Sequence, residues 1–72
     1  DPHEAPKLTS PSLLPVFFAQ LRDYFSLNGI STDEEKLALF RMGLPAPEYR
    51  RYVMDTKLPR AFDEVKKKLL SL

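Results

Sequence analysis

The segment FFAQLRDYFSLNGISTDEEK, from residue 17 to residue 36, constrains the fold more than any other part of the chain. Its apolar residues have the spacing of one face of an α-helix: Phe17, Phe18, Leu21, Tyr24 and Phe25. Asn28-Gly29 follows, and both residue types tolerate the left-handed backbone that ends a helix. The segment therefore predicts an amphipathic helix that packs against a second one, with no arrangement typical of catalysis.

The second helix has a clear start signal. A Ser or Thr followed three residues later by Glu forms a capping box, in which the two residues satisfy backbone N–H groups at the helix N-terminus. The sequence offers two such pairs, Ser31 with Glu34 and Thr32 with Glu35. Either pair places the helix start near residue 32.

The rest of the chain repeats the helical spacing between breaks that carry Gly or Pro. We predict four helices, over residues 14–27, 32–42, 47–56 and 61–70. No segment alternates with period two over the length of a strand, so the fold class is all-α, a compact bundle of about four short helices. Residues 13–72 form this domain. Residues 1–12 contain three prolines and are predicted to be a flexible lead-in.

The apolar positions that share the inner helix faces define a predicted core. Its members are Phe18, Leu21, Phe25, Leu37, Phe40, Val53, Phe62, Val65 and Leu69. A chain of 72 residues buries only about 60% of its unfolded surface, and this one has no cysteine to add a disulfide. Small domains with these limits often gain stability by docking onto a partner.

Composition argues against several function classes. The 11 basic and 10 acidic residues leave a net charge of +1, which gives no strong field toward nucleic acid. No apolar run approaches the roughly 20 residues of a membrane span. The single histidine, His3, lies in the polar lead-in. The carboxylates of residues 33–35 and 63–64 are explained by helix starts, so we predict no metal, no cofactor and no enzymatic activity.

Two sets of residues are candidates for contact with a partner. The first is aromatic: Phe17, Tyr49 and Tyr52 are predicted to contact a protein partner if they face outward, and to be core residues if they do not. The second is basic: Arg50, Arg51, Lys66, Lys67 and Lys68 could contact nucleic acid, with the neighbouring tyrosines stacking on bases. The low net charge favours a solvated helix face for this second set.

The same segment resembles the Gag capsid-like domain of Gypsy-type long-terminal-repeat retrotransposons, including forms adopted by host genomes. Phe17-Phe18-Ala19-Gln20-Leu21 is similar to the aromatic pair that opens the family's first helix, with Phe17 where Trp is usual. The later positions that match are Phe25, Ile30, Asp33, Lys36, Leu44, Pro45, Val53, Pro59, Phe62, Leu69 and Leu70. The resemblance covers residues 13–72.

The resemblance implies the N-terminal lobe of a capsid, without its second lobe or zinc knuckle. We therefore expect a non-enzymatic assembly domain that acts by protein–protein association, in the cytoplasm or in a virus-like particle. The alternative is a domesticated regulatory module that binds a partner peptide in a groove between helices. A nucleic-acid-binding helical domain is the third hypothesis. Since the chain begins with Asp1, we expect it to be part of a longer protein.

Overall fold

The computed structural model describes residues 4–54 and 58–71, and these residues form helices and no strand. The four α-helices are α1 (Leu14–Asn28), α2 (Asp33–Met42), α3 (Ala46–Tyr49) and α4 (Phe62–Leu70). A 3₁₀ turn, Pro11–Leu13, leads into α1, and a π-helical turn, Arg50–Met54, continues α3. The all-α prediction is confirmed. The predicted third helix changes type after Tyr49, and its predicted end at Thr56 lies outside the described residues.

The ends of α1 and α2 follow from local sequence signals. Gly29 ends α1 in the left-handed conformation, with φ of 65°. Thr32 precedes α2, and its Oγ1 accepts a hydrogen bond from the Glu35 backbone N–H at 3.3 Å. The same hydroxyl donates to Glu35 Oε1 at 2.8 Å. Of the two capping boxes that the sequence allows, the structure therefore uses Thr32 with Glu35.

The core is a connected cluster of phenylalanine rings between α1, α2 and α4, which all contact one another. The Phe18 ring stacks on the Phe40 ring at 5.5 Å between centroids. Phe62 from α4 makes edge contacts with Phe18 at 5.8 Å and with Phe25 at 5.2 Å. Phe17 completes the cluster at 5.9 Å from Phe40. No polar or charged side chain is buried in the described part of the chain.

Most of the predicted core is confirmed, with one exception and several additions. Val53 is only half-buried and packs against the edge of the cluster, whereas the other predicted core residues are buried. The prediction omitted Leu8, Leu14, Phe17, Leu44 and Tyr52, which are also buried. The core thus includes residues from the segments that precede and connect the helices, as well as those on the inner helix faces.

Within the described residues, part of the predicted lead-in packs against the helices. We call residues 5–10 the strap. Leu8 in the strap is only 3% exposed, and its backbone N–H donates to Gly43 O at 2.8 Å. A Cβ atom on Gly43 would lie 2.7 Å from Pro6 O, so the strap passes directly over this glycine. Residues 1–3, with His3, lie outside the described residues.

One carboxylate joins the N-termini of two helices. Asp33, the first residue of α2, accepts a hydrogen bond through Oδ1 from the backbone N–H of Phe62, the first residue of α4. The N-cap residue of α4 is Ala61, whose side chain cannot accept a hydrogen bond. Asp33 therefore performs for α4 the function that an N-cap side chain normally performs within a helix.

We expect Asp33→Ala to lower the free energy of unfolding by about 1 kcal/mol, because it removes the side-chain acceptor at the start of α4. Asp33→Asn keeps an acceptor oxygen and should lose less. Glu34→Ala is the matched control, since Glu34 shares the first turn of α2 but does not bond α4. Urea denaturation measures all three variants. Equal losses for Asp33→Ala and Glu34→Ala would contradict this account.

Candidate protein-contact surface

The aromatic residues predicted to contact a partner do not form a surface. Phe17 is only 1% exposed, so of its two predicted positions, outward or in the core, it occupies the core. The cause is the strap with Gly43: a Cβ on Gly43 would lie 2.8 Å from the Phe17 ring, so this side of α1 is covered. Tyr52 is also buried, and Tyr49 is half-buried against the core. These three side chains contribute to the fold.

The outward side of α1 carries apolar side chains instead. Leu13 is 43% exposed, Val16 is 50% exposed and Leu27 is 74% exposed. At about 100° per residue, Val16, the exposed Gln20 and Leu27 fall within a sector of about 40° on α1. Leu13 lies in the 3₁₀ turn directly before the helix. We call Leu13, Val16, Gln20 and Leu27 the α1 outer row. The sequence pattern did not single out this row, because its apolar members lie far apart and alternate with polar residues.

Shallow grooves separate the α1 outer row from the strap. One groove, of ≈ 150 Å³, lies among Leu8, Leu13, Val16 and Phe17. Another, of ≈ 440 Å³, lies between residues 4–7 and the side chains of Tyr24 and Leu27. Lys7 and Gln20 line both grooves. Glu4 and Asp23 also line the larger groove, so the surface between the outer row and the strap is mixed in polarity.

A third groove lies on another side of the domain. It has a volume of ≈ 640 Å³, and Leu37, Val53 and Leu58 form its apolar lining. Among the described residues, Arg41, Arg60 and Glu34 supply its charged lining. Apolar lining with an excess of positive charge suits a peptide that carries acidic residues.

The basic residues predicted as a nucleic-acid contact do not form a stacking platform. Arg50, Arg51, Lys67 and Lys68 are exposed and Lys66 is half-buried. Of the two tyrosines beside the arginines, Tyr52 is buried and Tyr49 is half-buried against the core, so neither offers an open ring face like that of a stacking platform. On α4, Asp63 and Glu64 lie four residues before Lys67 and Lys68, the spacing at which opposite charges on a helix are neighbours. Positive charge is therefore interrupted on this helix.

We expect no tight RNA complex at physiological salt, because few phosphates could be neutralised by so mixed a surface. Fluorescence anisotropy with a labelled single-stranded RNA at about 0.15 M salt measures this. A submicromolar complex that is lost when Arg50, Arg51 and Lys66 to Lys68 are neutralised together would contradict the expectation. A variant with Arg22→Gln, an exposed arginine outside this set, controls for the general change in charge.

The rest of the described surface lacks the features of a metal site or a membrane span. No group of His, Asp and Glu side chains within the described residues is placed to hold a metal ion. Every buried side-chain nitrogen or oxygen in residues 4–54 and 58–71 has a hydrogen-bond partner. None of the helices described is both long and apolar enough to cross a bilayer. The α1 outer row is therefore the strongest candidate for a functional surface.

Comparison with known proteins adds no relative. No protein-family model, no curated protein and no solved structure matches this chain significantly.

Proposed function

We propose that this chain is a non-enzymatic assembly domain that associates with a second copy of itself through the α1 outer row. The observation that carries the proposal is the exposure of Leu13, Val16 and Leu27 on one side of a helix whose other side is buried. Apolar side chains that line one strip of surface are typical of protein contact sites. A strip this narrow buries little area, so the association is weak and transient.

The resemblance to the N-terminal lobe of a Gypsy-type Gag capsid supports the same function from an independent direction. Weak contacts suit a capsid, because each lobe is held at many neighbouring points and the total affinity increases with their number. The proposal places the protein in the cytoplasm, in a virus-like particle or in the complexes of a domesticated Gag descendant.

Val16→Lys is expected to abolish self-association while leaving the melting temperature unchanged. Val16 belongs to the row and is half-exposed, so a lysine there is solvated in the monomer and unfavourable in the contact. Sedimentation velocity from about 10 µM to about 1 mM, the range of a small transient interface, measures the association.

Met42→Lys is the matched control for Val16→Lys. Met42 is 79% exposed at the end of α2 and lies outside the row. It should leave association intact. The proposal fails if the unaltered chain stays monomeric over the whole series, or if Val16→Lys associates as strongly as Met42→Lys.

A second candidate function is the binding of a partner peptide in the groove lined by Leu37, Val53 and Leu58. The two arginines at this groove favour a peptide with acidic residues. In this case Arg60→Glu abolishes peptide binding measured by calorimetry, whereas Val16→Lys leaves it unchanged. The reverse pattern would exclude this groove as the binding site.

A further inference from the structure

The strap is held to the helices by few interactions. Within the described residues one hydrogen bond, from Leu8 N–H to Gly43 O at 2.8 Å, joins the strap to α2. Its last residue, Ser10, bonds only to its near neighbours: its carbonyl oxygen accepts from Leu13 N–H at 3.0 Å, and its hydroxyl lies 3.0 Å from that of Ser12. Leu8 is the one fully buried side chain of the strap, and its neighbours Lys7 and Thr9 are exposed. The aromatic contacts between α1, α2 and α4 do not involve the strap.

The site that receives Leu8 is formed by other parts of the chain. Gly43 at the end of α2 supplies the carbonyl and leaves room for Pro6 O, and Phe17 on α1 lies against the same glycine. We call this site the Leu8 slot. One leucine and one hydrogen bond hold the strap there, so it opens in on the order of one molecule in a hundred without loss of the helical core.

We propose that the strap is exchanged between copies: the strap of one chain leaves its own Leu8 slot and fills the slot of a second copy. The occupant follows from the structure, since the slot already binds this sequence within the chain and the same contacts form between chains. Ser10 has an extended backbone, with φ of −153° and ψ of 144°, just before the 3₁₀ turn. A rotation at this point swings the strap away from α1.

The affinity of exchange follows from the same contacts. Every strap interaction of the closed monomer is recreated in the exchanged pair. The equilibrium between monomer and exchanged pair therefore depends mainly on the protein concentration, compared with the effective concentration of a strap at the slot of its own chain. For a short connection this effective concentration is in the millimolar range. Exchange therefore becomes important where many copies are held close together, and in this sense it rests on the proposed assembly function.

Native-state hydrogen exchange of the unaltered chain tests the opening step. The Leu8 amide should be protected on the order of 100-fold, and the core amides of Leu21 and Phe40 at least about tenfold more. Equal protection of Leu8 and the core amides would overturn the proposal, because the strap would then open only when the whole domain unfolds.

Leu8→Asp tests the exchange step. This variant cannot fill a slot, but its own slot stays open for the strap of an unaltered chain. Isotope-labelled Leu8→Asp mixed with unlabelled wild-type chain at about 1 mM, a concentration near the effective one, should show contacts between labelled Phe17 and unlabelled Leu8 in isotope-filtered NMR spectra. Labelled Met54→Asp is the control, because Met54 is 71% exposed and lies outside the α1 outer row. This variant retains Leu8 and should show much weaker contacts.

The outcomes separate this proposal from the proposed function. Loss of helical structure in Leu8→Asp, or absence of the Phe17–Leu8 contacts between chains, overturns exchange. Association that survives in Leu8→Asp but not in Val16→Lys also overturns exchange as the route of assembly, while it supports the α1 outer row. Association lost in Leu8→Asp and retained in Val16→Lys supports exchange and contradicts the outer row.

Discussion

Phe40→Ala is expected to remove most of the stability of this domain. The Phe40 ring is fully buried and packs against the rings of Phe17 and Phe18, which belong to α1. Truncating a buried phenylalanine costs about 3–5 kcal/mol through lost apolar contacts and the cavity left behind. A small domain is stable by about 5 kcal/mol at the lower end of the usual range, so the loss is comparable with the total.

Thermal denaturation followed by circular dichroism measures the effect of Phe40→Ala. Met42→Ala is the control two residues away on α2, because Met42 is mostly exposed and its truncation leaves no cavity. We expect its melting temperature to stay close to that of the unaltered chain. If Phe40→Ala has the same melting temperature as Met42→Ala, the ring cluster does not hold the helices together.

Gly43→Ala is expected to destabilise the domain by about 1–3 kcal/mol, because the added methyl group overpacks a site with no free space. The new Cβ would lie 2.7 Å from Pro6 O and 2.8 Å from the Phe17 ring. The strap is the part that can move, so we expect it to lift away. Hydrogen exchange should then show a loss of protection at the Leu8 amide, together with a lower melting temperature.

Gly29→Ala is the matched control for Gly43→Ala, and it separates two reasons for having glycine at a helix end. Gly29 has φ of 65°, and a Cβ atom added to it would meet nothing within 4 Å, so alanine there causes backbone strain alone. The cost is about 1 kcal/mol. Protection of the Leu8 amide should persist in Gly29→Ala. Its loss in both variants would show that the strap responds to general instability and not to the space above Gly43.

The helices could be predicted because their signals are local. Gly29, Thr32 and Glu35 act through the backbone of their own helix end, so the sequence alone contains the cause. The bond from Phe62 to Asp33 could not be predicted in this way. Asp33 in the first turn of α2 is fully explained by the dipole of that helix, and nothing in the sequence indicates that α4 begins beside it.

The candidate surface was harder to predict, because burial depends on what covers a helix from outside. Phe17 and Phe18 point about 100° apart, so one of them was expected to be exposed. The strap covers the side of α1 on which Phe17 lies, so both rings are buried. The sequence does not predict this cover, because Leu8 is a single apolar residue between prolines and belongs to no periodic pattern. Tyr52 lies in the π-helical turn, whose wider spacing changes which residues face inward. The α1 outer row became visible only after these residues were placed.

The bond between Asp33 and Phe62 gives the helices an order of assembly. Thr32 caps α2 from within, so the N-terminus of α2 is complete without a contact to another helix. The start of α4 has no side-chain acceptor of its own and becomes complete only against an α2 that already exists. Because α2 precedes α4 in the sequence, the residue on which the start of α4 depends is synthesised before α4 itself. Of these two helices, α4 is the one whose start depends on the other.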